Sequence, residues 1–256
     1  MSDGDPRVVF FAYGPVGREV VQFALDHDPG RVAAVVALPG DAPVAALLAR
    51  PSLSARAVEF DPGRPDVAAG KIRALQPDVA ILAWWPHILK GELLDLGQRL
   101  MLNLHPSLLP HGRGKDPNFW AIVESRPFGV TIHHVDAGID AGDIAFQREI
   151  PHGWEDTGKT LYDKATAAIV DLFRESYPRI LAFDVPRIAQ DHAVGTFHTR
   201  RELDPRSLIE LDSPCTPREV LNLLRARTFE PFPGCRFVDG DTTYEARVSI
   251  TKVRRG

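Results

Sequence analysis

The octapeptide NLHPSLLP places an amide, Asn103, and an imidazole, His105, two residues apart at the end of an apolar run. Strand side chains alternate between faces, so a strand through RLMLNL projects Asn103 and His105 from the same face. Pro106 cannot donate to a ladder, which predicts that the strand stops at His105. Polar groups at the tip of a buried strand stand where open α/β sheets place their chemistry. Asp140 is the third group of interest, in the turn AGIDAG. If the strand beginning at Gly129 lies beside RLMLNL, that turn arrives at the same sheet edge as His105 and sets Asp140 against the imidazole. A carboxylate beside a histidine favours the protonated ring and fixes its tautomer, and a neighbouring amide is a neutral donor for an oxyanion. No Ser or Cys sits at a sharp strand-to-helix elbow, so the nucleophile is expected from the substrate. The chemistry that this set suits is acyl transfer to an incoming amine or water.

The elements that must hold these groups read as alternating strands and helices. RVVFFAYG (7–14) is an apolar run ending at Gly14, and GREVVQFALDHD continues it with helical spacing. RVAAVVAL (31–38), ARAVEF (55–60) and PDVAILAWW (77–85) read as further strands, with PVAALLAR and DVAAGKIRAL as helices between them. This alternation implies a parallel, doubly wound α/β sheet. Beyond a Gly-, Pro- and charge-rich loop (106–118) and the short helix FWAIVES, GVTIHHVD (129–136) and DIAFQREI (143–150) read as a strand pair. The longest helix is expected from Thr157, a plausible N-cap, to about Leu181, with Leu161, Ala165, Ile169, Leu172 and Phe173 on one face. Past Asp184 the chain turns irregular and charged. TPREVLNLLRARTF then gives one more helix, and Asp239-Gly240 marks a terminal hairpin. This places a boundary near 190, with a main domain over 1–190 and a small helix and β-hairpin module over 191–256.

Bulk composition excludes several classes. Apolar residues make up 44% and charged residues 25% of the 256, ordinary values for a globular protein. No stretch approaches the ~18 apolar residues that span a bilayer, and the acidic start MSDGDPRVVFF does not read as an export signal. A cytoplasmic location is expected. The net charge of −4 argues against affinity based on phosphate neutralisation, so no nucleic-acid partner is expected. Cys215 and Cys235 read as structural, and no metal is expected, because Asp140 and Asp143 lack a second suitably spaced His or Cys. GPVG (14–17) has two of the three glycines of a dinucleotide fingerprint, with Asp41 a poor candidate for its acidic residue, and reads as a tight structural turn. His133 and His134 point to opposite faces of their strand and read as core or surface histidines. Trp84 and Trp85 suit either stacking on a flat ligand or core packing.

NLHPSLLP, followed by DAGIDAGD with Asp140 35 residues after His105, resembles the formyltransferases that use 10-formyltetrahydrofolate. The resemblance covers roughly residues 5 to 182. It implies a Rossmann-like, mostly parallel formyltransferase fold in which Asn103, His105 and Asp140 form the catalytic trio. AWWPHILKGELL resembles the family segment whose backbone borders the pterin. That places Trp85, His87, Ile88 and Leu89 on one side of the folate, with Val135, Asp136, Gly138 and Ile139 on the other. GRGKDPNFW (112–120) with GVTIHHVDAGIDAGD looks most like the sugar N-formyltransferases acting on nucleotide-linked amino sugars. For such an acceptor, Arg113 and Lys115 are candidates for the diphosphate, with a plain solvated loop as the alternative, and Ser107 is a further acceptor-side candidate.

The expected function is transfer of a formyl group from 10-formyltetrahydrofolate, a co-substrate, to the primary amine of a nucleotide-linked amino sugar. The alternatives are another formyltransferase, acting on methionyl-tRNA, a ribonucleotide amine or a hydroxylated amino acid, or a folate-binding protein without turnover. RARTFEPFPGCRFVDG resembles the opening of the C-terminal module shared by tRNA and sugar enzymes, and the chain's end at Gly256 is expected to cut that module short. Phe229, Phe232, Phe237 and Tyr244 are more aromatic surface than so small a module buries alone, so it is expected to pack against a partner subunit or its own main domain, and a homodimer is the expected assembly.

Overall fold

The structure, a computed structural model, describes residues 5–253. It divides into two compact units. One is built on the chain up to His105 together with Thr131–Phe146 and Ile169–Ala189, the other on Pro106–Val130, Gln147–Ala168 and the residues from Gln190 on.

The first unit holds most of a seven-stranded sheet. Its strands are β1 (Val8–Ala12), β2 (Val32–Ala37), β3 (Ala57–Glu59), β4 (Val79–Ala83), β5 (Leu100–His105), β7 (Gly129–His134) and β8 (Ile144–Glu149), β6 being a two-residue strand elsewhere. Their order is β3-β2-β1-β4-β5-β7-β8. The ladders from β3 through β5 are parallel, whereas β7 runs antiparallel to β5. Alternation splits β1 between two layers. Val9 and Phe11 join a cluster with Val36, Val58, Phe60, Ile72, Leu82 and Trp85, closed by α3 (Pro65–Ala74). Phe10 points the other way and meets Phe173 edge-on at 6.2 Å and Tyr177 at 6.5 Å, both from α5 (Gly158–Leu181). Each of these rings is almost wholly removed from water, a burial worth about 1.5–3 kcal/mol per large apolar side chain.

Helix α1 (Gly14–His27) buries Val16, Val20, Val21, Ala24 and Leu25, a single stripe at helical spacing. It starts tightly. Gly14 has φ of 63° and donates its N–H to the Asp41 carboxylate at 2.8 Å, and a Cβ on Gly17 would press on the Ala12 backbone. GPVG is therefore a structural turn whose Gly14 amide is held by the chain's own buried carboxylate. Asp41 itself precedes the short helix α2 (Ala42–Leu48).

In the second unit, α4 (Pro117–Val123) packs with α7 (Pro217–Arg227), and β10 (Cys235–Asp239) pairs antiparallel with β11 (Thr242–Ala246) around Gly240 in the left-handed region. The Thr157 cap is present, its hydroxyl accepting the Thr160 N–H at 3.2 Å. Three features depart from the reading of the sequence. Arg113–Gly114 (β6) pairs in parallel with Phe197–His198 (β9), two residues each, too short to leave a periodic signal. A helix, α6 (Arg200–Arg206), forms in the stretch read as irregular, opened by a Thr199–Glu202 capping box and passing through Pro205. Cys215 is exposed, so of the two cysteines only buried Cys235 fills a structural position.

Candidate active site

Strand β5 ends at His105, as Pro106 requires, and β7 lies beside it. The direction of β7 changes how Asp140 arrives. His105 faces Thr131 and Leu102 faces His134 across the antiparallel ladder, so β7 leaves at the far end of β5, where the Val135 N–H donates to the Met101 carbonyl at 2.9 Å. The turn therefore does not emerge beside His105, as the sequence suggested; residues 135–142 double back over the sheet instead. Two local features permit this. Asp140 adopts φ of 49°, a left-handed conformation that Asp tolerates better than most residues. Gly142 lies so close to the His134 carbonyl that no Cβ fits between them.

The result is a cluster around one carboxylate oxygen. Asp140 Oδ1 accepts from the Asn103 amide nitrogen at 3.3 Å and lies 3.6 Å from His105 Nδ1 and 3.5 Å from His133 Nε2. His105 is 5% exposed, and Asn103 and Asp140 are half-buried. Asn103 and His105 share a face, as alternation demands. These distances are long for charge-assisted bonds. Chemically, the cluster offers a neutral amide donor, an imidazole oriented by a carboxylate, and exclusion of most water.

His133 is the member that sequence reading missed. It stands directly opposite Asn103 in the β5–β7 register and its Nε2 lies 3.0 Å from the Asn103 amide nitrogen. The only signal for it in the sequence was the shared face set by that register. His134 points to the other face, where its ring donates to the Pro186 carbonyl at 2.9 Å. Burial holds His134 below the usual imidazole range, against the opposing pull of that carbonyl.

The remaining expected site residues are more scattered. The Trp85 side chain is 9% exposed and meets Phe11 and Phe60 edge-on at 5.4 and 5.2 Å, so it belongs to the core. Leu89 is buried, His87 and Val135 are partly so, Ile88 is 58% and Ile139 40% exposed, and Asp136 and Gly138 lie on the surface. Ser107, Arg113 and Lys115 belong to the second unit. Ser107 is buried there, Arg113 is in the β6–β9 ladder, and Lys115 is exposed with its N–H on the His198 carbonyl at 2.9 Å.

Comparisons with known proteins agree with this architecture. A sugar N-formyltransferase from a Shewanella species superposes with a TM-score of 0.82 at 20% identity, covering 98% of this chain and 100% of that one. A 4-N formyltransferase from Francisella tularensis gives 0.79 at 23% identity with the same coverage. The formyltransferase PseJ from Anoxybacillus kamchatkensis, solved with UDP-4,6-dideoxy-4-formamido-L-AltNAc and tetrahydrofolate, gives 0.56 at 25% identity over 78% of this chain and 88% of its own. Residues 202–252 match the N-formyltransferase dimerization C-terminal domain. Because residues 7–175, well over half of the sequence, match the formyl transferase family, the chain belongs to that family.

Proposed function

We propose that the protein transfers a formyl group from 10-formyltetrahydrofolate to the primary amine of a nucleotide-linked amino sugar. The observation that carries this reading is the convergence of Asn103, His105 and Asp140 on one carboxylate oxygen at the tip of β5. The unprotonated amine attacks the formyl carbon, the carbonyl oxygen becomes an oxyanion, and the carbon's bond to the folate nitrogen breaks as the new C–N bond settles. Charged His105 and the Asn103 amide stabilise the oxyanion. The 3.3 Å bond from Asn103 to Asp140 is the longer of its two amide contacts, and is the one it can exchange for the substrate oxygen. The proton lost by the amine passes by way of the His105–Asp140 pair to the departing folate nitrogen, which leaves as the neutral amine, and the pair ends in the state in which it began.

The donor assignment is supported by exposed apolar Ile88 and Ile139, in the segments that the family resemblance sets beside the pterin. The acceptor assignment is supported by the end-to-end likeness to sugar N-formyltransferases and by the PseJ complex. The match at 202–252, with Phe232, Val238 and Tyr244 exposed, supports a homodimer formed through the terminal module. The separate matches over 7–175 and 202–252 support a domain boundary near 190. Mass spectrometry of products from a panel of nucleotide-linked amino sugars, charged initiator tRNA and glycinamide ribonucleotide, each with the folate donor, tests the reading. A formylated nucleotide sugar is expected; formylation of tRNA or ribonucleotide alone would overturn the acceptor.

A further inference from the structure

We infer that His133 is a positioning residue for this transfer: its neutral ring, with the proton on Nδ1, takes one amide proton of Asn103 and aims the other at the reacting oxygen. The inference rests on the proposed function and on a chain of contacts that favours one assignment of protons. His133 Nδ1 lies 2.8 Å from the His134 carbonyl oxygen, which can only accept, so Nδ1 carries the hydrogen. Asp140 Oδ1 lies 3.3 Å from the nitrogen end of the Asn103 amide. Turning that amide over would set its oxygen against a carboxylate, so the NH2 group faces this way. His133 Nε2, 3.0 Å from the same nitrogen, therefore meets a donor and presents a lone pair. A hydrogen on Nε2 would have to reach Asp140 Oδ1 at 3.5 Å while facing the nearer Asn103 donor at 3.0 Å.

Both protons of the amide then have a partner. One proton points at His133, and the other lies along the Asp140 direction beside His105. The His133 ring is 3% exposed, stands edge-on to the His105 ring at 6.1 Å and is tied through Nδ1 to the His134 carbonyl. The β5–β7 register, which pairs Asn103 with His133 directly, makes the arrangement a property of the backbone.

Long-range 1H–15N spectra of the wild-type protein at neutral pH read the tautomer without any substitution, and are expected to show His133 neutral with its proton on Nδ1. His133→Phe keeps a planar ring without the acceptor and is expected to lower kcat about tenfold, the scale of one hydrogen bond. KM for both substrates should stay within about twofold, and His133→Gln, whose carbonyl can accept, should restore most of the rate. Transfer by the wild type with an Nε2–H or doubly protonated ring, a His133→Phe variant at the wild-type rate, or a change confined to KM would each overturn the positioning role alone. Absence of formyl transfer by the wild type to every acceptor would instead overturn the functional reading, and the role with it.

Discussion

Gly142 has no side chain to offer the reaction, yet its replacement should be among the most damaging changes to activity. A Cβ at this position would collide with the carbonyl oxygen of His134, with the Asp136 carboxyl carbon 3.6 Å away on another side. The obstacle is backbone, so no side chain can rotate out of the way. That carbonyl also accepts the His133 ring proton at 2.8 Å. Restoring ordinary contact requires the 135–142 loop to move by about 1 Å or more, and Asp140 is two residues from the clash. A misplacement of about 1 Å at a reacting constellation costs on the order of 100-fold in rate. Overpacking of this kind costs about 1–3 kcal/mol, which lowers Tm by roughly 3–10 °C in a chain of this size. The expected result for Gly142→Ala is therefore a folded protein with kcat for formyl transfer down about 100-fold, measured at saturating donor and acceptor beside a thermal melt. A folded variant within threefold of the wild-type rate would refute the claim that the loop's close approach to β7 sets the Asp140 geometry.

Other expectations follow from single contacts. Gly70 lies on the exposed side of α3 with open space where a Cβ would stand, so Gly70→Ala should raise Tm by a few degrees, for a gain of about 0.5–1 kcal/mol, and leave activity unchanged. The Cys235 thiol, pushed up to about 11 by burial, donates to the Leu223 carbonyl at 3.3 Å, whereas Cys215 is exposed. Alkylation of the native protein at pH 8 followed by mass spectrometry should label Cys215 alone, and both after addition of urea. Burial raises the Asp156 carboxyl, but Lys164 at 2.7 Å, the Gly153 N–H and the Thr160 hydroxyl outweigh it and leave the group below its ordinary value. Its stabilisation is present above the unfolded value of about 3.9 and is lost as pH falls through the lower folded value. In urea unfolding, Asp156→Asn should cost about 1–2 kcal/mol at pH 7, and the difference should shrink as pH drops below about 4.

Much of the framework was legible because buried parallel strands are written as apolar runs. Val8–Ala12, Val32–Ala37 and Val79–Ala83 fall inside the runs read as strands, Pro106 marks the end of β5, and Asp239-Gly240 marks the hairpin. Alternation also sufficed to put Asn103 and His105 on one face. The direction of β7 was not legible, since a period of two is the same read from either end. How Asp140 reaches the imidazole depends on that direction, on a left-handed residue and on a close approach at Gly142, none of which has a local pattern. His133 was missed for a related reason: a histidine among Val130, Thr131 and Ile132 looks like any buried ring until its cross-strand partner is known. The Asp41 carboxylate at the GPVG turn comes from the loop between β2 and α2, and its contact with Gly14 shows only in the folded chain. For α6 the signal existed, in Thr199 and Glu202, but Pro205 and the surrounding charge obscured it.

The most direct test of the account is the turnover of Asn103→Ala with 10-formyltetrahydrofolate and a nucleotide-linked amino sugar that the wild type formylates. Asn103 sits at a strand tip, half-buried, so the variant should fold. Loss of an oxyanion donor predicts kcat lower by about 100- to 1000-fold, with KM for the folate little changed. A folded Asn103→Ala enzyme that turns over within threefold of the wild type would contradict the assignment of this cluster as the site of formyl transfer.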